Sequence, residues 1–113
     1  MPKNVAVIIR EDPRSTHRPV EALRIALGLV AGTHQTTVVL LGEAVRLLSE
    51  DTDDLVDGEI LEKYLPSIEQ LEVQFVLADS TDRSQVRPEF SIRYESADTI
   101  RGLIQSMDRT LIF

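Results

Sequence analysis

The apolar-to-polar segment "VQFVLADSTDRSQV", residues 73–86, is the clearest structural signal in this sequence. A short apolar run bounded by turn residues is typical of a strand buried on both faces, as in a parallel sheet. Ligands and reactive groups usually lie at the carboxyl ends of such strands. We therefore predict a buried strand at about residues 72–77 and a candidate site in the turn that follows it.

Strands and helices alternate on both sides of this segment. Further strands are predicted at about residues 4–9, 36–41, 89–94 and 110–113. Helical spacing of apolar residues predicts helices at residues 19–31, 43–49 and 58–70 and after Ser96. Pro66 is expected to kink the third helix or to end its first segment. This order predicts an α/β protein, a three-layer α/β/α sandwich around a mostly parallel five-stranded sheet.

Length and composition are those of one ordinary globular domain, with 113 residues, 42% hydrophobic and 27% charged. Apolar runs fall short of the roughly 18 to 20 residues that a membrane span needs. The apolar stretch in "MPKNVAVIIR" is too short for a secretory signal peptide. We therefore expect a soluble, cytoplasmic protein without a membrane partner.

Charge and cysteine content exclude several classes of function. The formal net charge is -7, which argues against a nucleic-acid partner because phosphate binding needs a basic surface. Cysteine is absent, which excludes disulfides, thiolate metal sites, cysteine nucleophiles and persulfide carriers. His17 and His34 flank the predicted first helix at opposite ends, too far apart to share a metal ion. We expect neither a metal nor a cofactor.

Hydrophobic patterns with a few fixed small residues give the chain a family resemblance. They are "VAVIIREDP", "EALRIALGLVAG", "TTVVLLGEAVRLL", "VQFVLADSTDRSQV" and "ADTIRGLIQSMDRTLIF". In these segments the chain resembles the DsrE/DsrF-like family, which includes the small TusD-type sulfur-relay subunits. The resemblance runs nearly end to end and implies one DsrE/DsrF-like domain over residues 1–113.

The resemblance also implies what this chain lacks. Sulfur-carrying members of the family hold a persulfide on a cysteine at the end of the third strand. Matching the turn around Arg83 places that cysteine at Leu77, give or take one residue. The resemblance therefore implies a non-catalytic subunit, linked to intracellular sulfur metabolism through partner or small-ligand binding.

Apolar residues cover most of the predicted first helix and a wide face of the helix at 58–70, more than one sheet face would normally bury. This surplus predicts a homo-oligomer, a dimer or trimer, or assembly with related subunits, as the resemblance also implies. The alternative is a monomer in which both helices bury these residues against the sheet.

The first loop, "REDPRSTHRP", is a candidate site for a small anion. It brings cationic and hydroxyl side chains to the start of a helix, where N–H groups and the helix dipole favour negative charge: Arg10, Arg14, Ser15 and Thr16. The alternative is a solvated loop in which Ser15 or Thr16 caps the helix and neighbouring carboxylates neutralise the arginines.

The turn after the third strand is the second candidate ligand site. Asp79, Ser80, Asp82 and Arg83 could orient a polar ligand, although Asp and Ser are equally common as turn and cap residues. Nothing in the sequence supplies an adjacent general base of the kind that a serine nucleophile requires, so Ser80 is not expected to be catalytic. The alternative function is a small-anion or metabolite-binding protein, or an enzyme, that uses these strand-end polar residues.

Overall fold

The computed structural model describes residues 3–113 and contains the predicted strands and helices. The strands are β1 (Asn4–Ile9), β2 (Gln35–Leu40), β3 (Gln74–Ala78), β4 (Ser91–Glu95) and β5 (Arg109–Ile112). The α-helices are α1 (Arg18–Ala31), α2 (Gly58–Gln70) and α3 (Ala97–Gln105). Two 3-10 helices occupy Gly42–Leu48 and Arg83–Gln85. The predicted α/β class is confirmed.

The sheet has the strand order β4-β3-β2-β1-β5, and every neighbouring pair is parallel. The prediction of a mostly parallel sheet is therefore met by a fully parallel one. Leu77 of β3 lies beside Leu40 of β2 and Tyr94 of β4. Because all strands run the same way, their carboxyl ends meet at a single edge of the sheet, where we place the candidate site.

Helices cover both faces of the sheet, as the three-layer prediction requires. Side chains such as Val7 and Leu77 point toward α1 and α2 and form the larger core cluster. Alternate side chains such as Ala6 and Val76 point the other way and pack with Ile100 of α3. The three central strands β1, β2 and β3 are thus buried on both faces, which explains their continuous apolar runs, whereas the edge strands β4 and β5 are more exposed.

Two local predictions can be compared with the structure in detail. The short helix predicted at residues 43–49 is present as a 3-10 helix over Gly42–Leu48. Helix α2 does not end at Pro66 but continues to Gln70. Pro66 is exposed, and the buried side chains of Leu65 and Ile68 anchor the helix to the core at that point. Packing therefore offsets the backbone hydrogen bond that proline cannot donate.

Candidate functional site

A cavity of about 270 Å³ lies at the carboxyl ends of β2 and β3. Apolar side chains contributed by β2 and the segment after it form one wall: Leu40, Leu41 and Val45. Ala78, the last residue of β3, also lines the cavity, and polar side chains from the following turn complete it: Ser80, Thr81, Asp82 and Gln85. The cavity therefore has an apolar wall and a polar rim.

The backbone at Gly42 shapes the wall on the β2 side. Gly42 has φ +57, a left-handed conformation that favours glycine, and turns the chain from β2 directly into the 3-10 helix. A methyl group added at Gly42 would meet no atom within 4 Å. Glycine is required here by backbone conformation, and not by a close contact.

The wall on the β3 side is a turn held by local hydrogen bonds. Thr81 N donates to Ala78 O at 3.0 Å, and Asp79 N donates to Glu95 O of β4 at 2.9 Å. Asp82 Oδ1 accepts from Ser84 Oγ at 2.7 Å and from Ser84 N at 3.0 Å. These bonds from Ser84 hold the pKa of Asp82 below its ordinary value. Asp82 is therefore a cap for the second 3-10 helix and carries a negative charge at the rim.

Ser80 and Arg83 do not converge on one ligand position. Ser80 lines the cavity between β2 and β3, whereas Arg83 lines a separate concavity of about 260 Å³ over β4. The Arg83 guanidinium lies 4.1 Å from the centroid of the Tyr94 ring, a cation–π contact. Asp79 is exposed in the turn between them. The second candidate site thus divides into two surfaces.

Leu77 and Ala78 differ in whether a reactive group at that position could reach the cavity. Leu77 is 0% exposed, and its side chain lies in the core under α1 and α2. Ala78 is only half-buried and lines the cavity. The resemblance located the family's cysteine within one residue of Leu77. Of the two neighbours considered, Ala78 is the one at which a side chain can meet a ligand.

In the first loop, arginine side chains are paired with carboxylates of the same loop. Arg14 Nη2 lies 2.8 Å from Asp12 Oδ2, and Arg18 Nε lies 3.0 Å from Glu11 Oε2. The hydrogen bond with Arg14 lowers the pKa of Asp12 and raises that of Arg14. Arg10 is exposed at the start of the loop.

The two hydroxyl groups of this loop make local contacts. Ser15 Oγ donates to Asp12 O at 3.1 Å, and Thr16 Oγ1 accepts from Arg18 N at 3.3 Å. These local contacts agree with the alternative of a solvated, self-neutralised loop. The N-cap residue of α1 is however His17, which makes no side-chain cap hydrogen bond, and not Ser15 or Thr16 as that alternative expected. The anion site of the first loop stays a prediction.

A larger concavity, of about 530 Å³, lies away from the strand ends, between the acidic segment before α2 and the first turns of that helix. Its lining includes Asp53, Asp57 and Glu59. Across residues 3–113, however, no three His, Asp or Glu side chains are placed to hold one metal ion. Size alone therefore does not make this concavity the functional site. Nor is any helix in the same range long and apolar enough to cross a membrane.

Comparison with known proteins agrees with the fold described above. The family model of the DsrE/DsrF-like family matches residues 3–113. The chain belongs to the DsrE/DsrF-like family. Its fold is similar to the crystal structure of the ychN protein from E. coli, with a TM-score of 0.77 and 15% sequence identity over 100% of both chains. No curated protein matches the sequence significantly. At this identity the structural likeness shows the fold.

Sequence reasoning found part of the β3 side of the cavity in this DsrE/DsrF-like chain and missed the β2 side. Val45 and Gln85 line the cavity, although neither was considered as a site residue. The signal available was Gly42, a glycine directly after a buried strand, which marks a sharp turn at a strand end. Its proximity to Ala78 depends on β2 and β3 being neighbours, which the sequence does not reveal.

Proposed function

We propose that this chain is a non-catalytic DsrE/DsrF-like subunit that binds a partner side chain or a small polar ligand in the cavity between the ends of β2 and β3. The proposal places it in intracellular sulfur metabolism, the setting of the family's sulfur-relay members. The observation that carries the proposal is the position of Ala78. This residue lines the strand-end cavity within one residue of the family's cysteine position, and the chain contains no thiol.

Chemistry at the cavity supports binding without catalysis. Sulfane sulfur transfer needs a thiolate, and the sequence has none. Ser80 and Thr81 supply hydroxyl groups, but a serine or threonine nucleophile needs an adjacent base. The carboxylates beside them in the chain are Asp79, which is exposed, and Asp82, which accepts hydrogen bonds from Ser84. The hydroxyls are therefore suited to hydrogen bonding with a ligand.

The size and charge of the cavity limit its occupant. Its volume of about 270 Å³ is below the range of about 300–1,000 Å³ typical of drug-sized ligands. Its described lining includes Asp82 and contains no Lys or Arg. A neutral polar group or a single side chain from a partner therefore fits better than an anion.

Intact-mass measurement tests the absence of sulfur transfer. The wild-type protein is incubated with a persulfide-loaded donor protein and then freed from it. We expect no change in mass, whereas Ala78→Cys should gain the mass of one sulfur atom and release it to a small thiol. A stable gain of sulfur by the wild-type chain contradicts the non-catalytic assignment. Failure of Ala78→Cys to accept sulfur contradicts the placement of the relay position in this cavity.

A second candidate function rests on Arg83. Unlike Arg14 and Arg18, Arg83 forms no ion pair with any carboxylate in residues 3–113, and it stacks on Tyr94 beside the second concavity. A guanidinium in this position could bind a small anion. Thermal unfolding with thiosulfate, with chloride at equal ionic strength as the control, tests this function. A thiosulfate-specific rise in Tm that Arg83→Gln abolishes supports it, and equal shifts in both salts contradict it.

Self-association is the third part of the proposal. Four large apolar side chains remain substantially exposed in the single chain, at 40%, 50%, 37% and 52%: Ile60, Leu71, Leu111 and Ile112. Exposed apolar surface of this kind favours burial against another copy. Sedimentation at micromolar concentration and above tests it. A monomer mass that persists on concentration contradicts self-association.

A further inference from the structure

The two edges of the sheet differ in how well they are protected against pairing. Edge strand β4 carries Arg93 and Glu95, which form an ion pair of 3.2 Å and keep charge along that edge. Edge strand β5 exposes Leu111 and Ile112, at 37% and 52%. Charged side chains are the usual protection of an edge strand, and long apolar ones invite another strand. The β5 edge is the less protected of the two.

Charge also favours association at β5. The chain has a formal net charge of -7, yet residues 109–113, "RTLIF", contain one arginine and no carboxylate side chain. Two copies that approach through this segment therefore avoid the direct contact of like charges that most of the surface would impose.

Hydrogen bonds to β1 show which backbone groups of β5 face outward. Phe113 N donates to Ile8 O at 2.8 Å, and Phe113 O accepts from Arg10 N at 2.8 Å. Backbone groups of successive strand residues point to opposite sides, so those of Leu111 also face β1. The N–H and C=O groups of Thr110 and Ile112 consequently face away from the sheet, toward solvent.

We propose that β5 pairs antiparallel with β5 of a second copy of this chain, across a two-fold axis at Leu111, so that the two sheets become continuous. The inference rests on the self-association proposed above and adds its surface and register. The partner is a second copy because the outward N–H and C=O groups of one β5 strand can pair with the same groups of another β5 strand. Thr110 bonds Ile112 of the partner subunit, and the two-fold axis repeats the same pair.

The register follows from the backbone. Leu111 stands opposite its own copy as a non-hydrogen-bonded pair, and the two flanking Thr110–Ile112 pairs supply four hydrogen bonds. A shift by two residues toward the amino end would place Asp108 against Ile112 of the partner subunit. Asp108 Oδ2 already accepts from Asn4 N at 2.9 Å. A shift the other way leaves Thr110 without a partner residue within 109–113.

Side chains agree with this register on both faces. On the face toward α1, Leu111 meets its own copy, and Arg109 lies opposite Phe113 of the partner subunit, an arrangement that allows a cation–π contact. On the other face, β-branched Thr110 and Ile112 lie opposite each other, a favourable cross-strand pair. Four hydrogen bonds are fewer than the roughly ten of a standard interface, so we expect weak association.

Single cysteines in this cysteine-free chain test the register. Opposite residues of a non-hydrogen-bonded pair have Cα atoms about 4.5 Å apart, within the range of a disulfide. Leu111→Cys should therefore form a disulfide-linked dimer under mild oxidation. Thr110→Cys and Ile112→Cys are matched controls, because each lies diagonal to its own copy at about 7–8 Å, too far for a bridge. Mixed together, these two variants should crosslink to each other.

Proline at position 110 is an independent test. The Thr110 N–H faces outward, so Thr110→Pro keeps the bonds to β1 and removes a bond to the partner. In the Leu111→Cys background it should lower the disulfide yield at least several-fold. Leu111→Cys crosslinking no better than Ser91→Cys on the β4 edge overturns the proposal. Crosslinking of Thr110→Cys alone, or of Ile112→Cys alone, at the same rate as Leu111→Cys also overturns the proposal. If the protein gives either of these crosslinking results and still sediments as an oligomer, pairing through the β5 edge is contradicted but self-association is not.

Discussion

Arg87 Nη2 lies 2.7 Å from Glu62 Oε1, and this ion pair joins the connection between β3 and β4 to helix α2. The Arg87 side chain is 16% exposed and also donates from Nε to Ser49 O at 2.9 Å. Thr52 Oγ1 donates to the same Glu62 oxygen at 2.7 Å. One guanidinium and one carboxylate therefore link three segments, and two of them lead to the walls of the cavity.

Replacing Arg87 should destabilise the fold well beyond a surface ion pair. Arg87→Ala removes the side-chain donor to the Ser49 carbonyl and the cation beside Glu62, which keeps only its bond from Thr52, so we expect a loss of about 2–3 kcal/mol in the free energy of unfolding. Arg101→Ala is the control, since its side chain is 70% exposed and lies 3.4 Å from Asp98, and it should cost less than about 1 kcal/mol. Urea denaturation measures both. Equal losses would show that the Arg87 contacts contribute little.

Glu62 should make stability depend on pH in acid. Hydrogen bonds from Thr52 and then Arg87 lower the pKa of Glu62 in the folded chain from its ordinary value of 4.5. A lowered carboxyl pKa gives stability that is fully present above pH 4.5 and is lost as pH falls through the folded-state pKa. The difference in unfolding free energy between wild type and Glu62→Gln should therefore be constant near neutral pH and shrink below pH 4.5. A difference that grows in acid contradicts this assignment.

Replacement by alanine should raise the stability of the fold at one glycine and lower it at another. An added methyl group meets nothing within 4 Å at either Gly28 or Gly42, so only the backbone distinguishes them. Gly28 lies within α1, where alanine should stabilise by about 0.5–1 kcal/mol. Gly42 has φ +57, where alanine is strained and should cost about 1 kcal/mol. Thermal unfolding of both variants measures the signs, and stabilisation by Gly42→Ala would contradict the strain.

The centre of the sheet was predictable from local sequence because β1, β2 and β3 are buried on both faces. The apolar run 4–9 gives β1 with the same bounds, and the run 36–41 gives β2 shifted by one residue. Continuity of α2 through Pro66 was not predictable in this way. It depends on Leu65 and Ile68 docking against the core, which is a tertiary effect that local propensity does not contain.

The candidate site was predictable only in part. Its location at the carboxyl end of β3 follows from a parallel sheet, whereas the β2 wall follows from strand order, which no local pattern encodes. Ser80 and Arg83 are three residues apart, yet the 3-10 helix that begins at Arg83 directs the arginine toward Tyr94. Short separation in sequence therefore did not bring these two side chains to one position.

Position 77 shows how one residue of uncertainty in register changes a chemical conclusion, because adjacent strand residues point to opposite faces. Leu77→Cys would bury its thiol in the core, whereas Ala78→Cys would place a thiol at the cavity wall. We expect a thiol reagent to label Ala78→Cys at least about tenfold faster in the native state, since a core thiol reacts only after local opening. In denaturant the two rates should be equal, which controls for intrinsic reactivity. Faster labelling of Leu77→Cys in the native state would show that position 77, and not position 78, is accessible to a reagent. It would remove the basis for placing the family's cysteine position in the cavity.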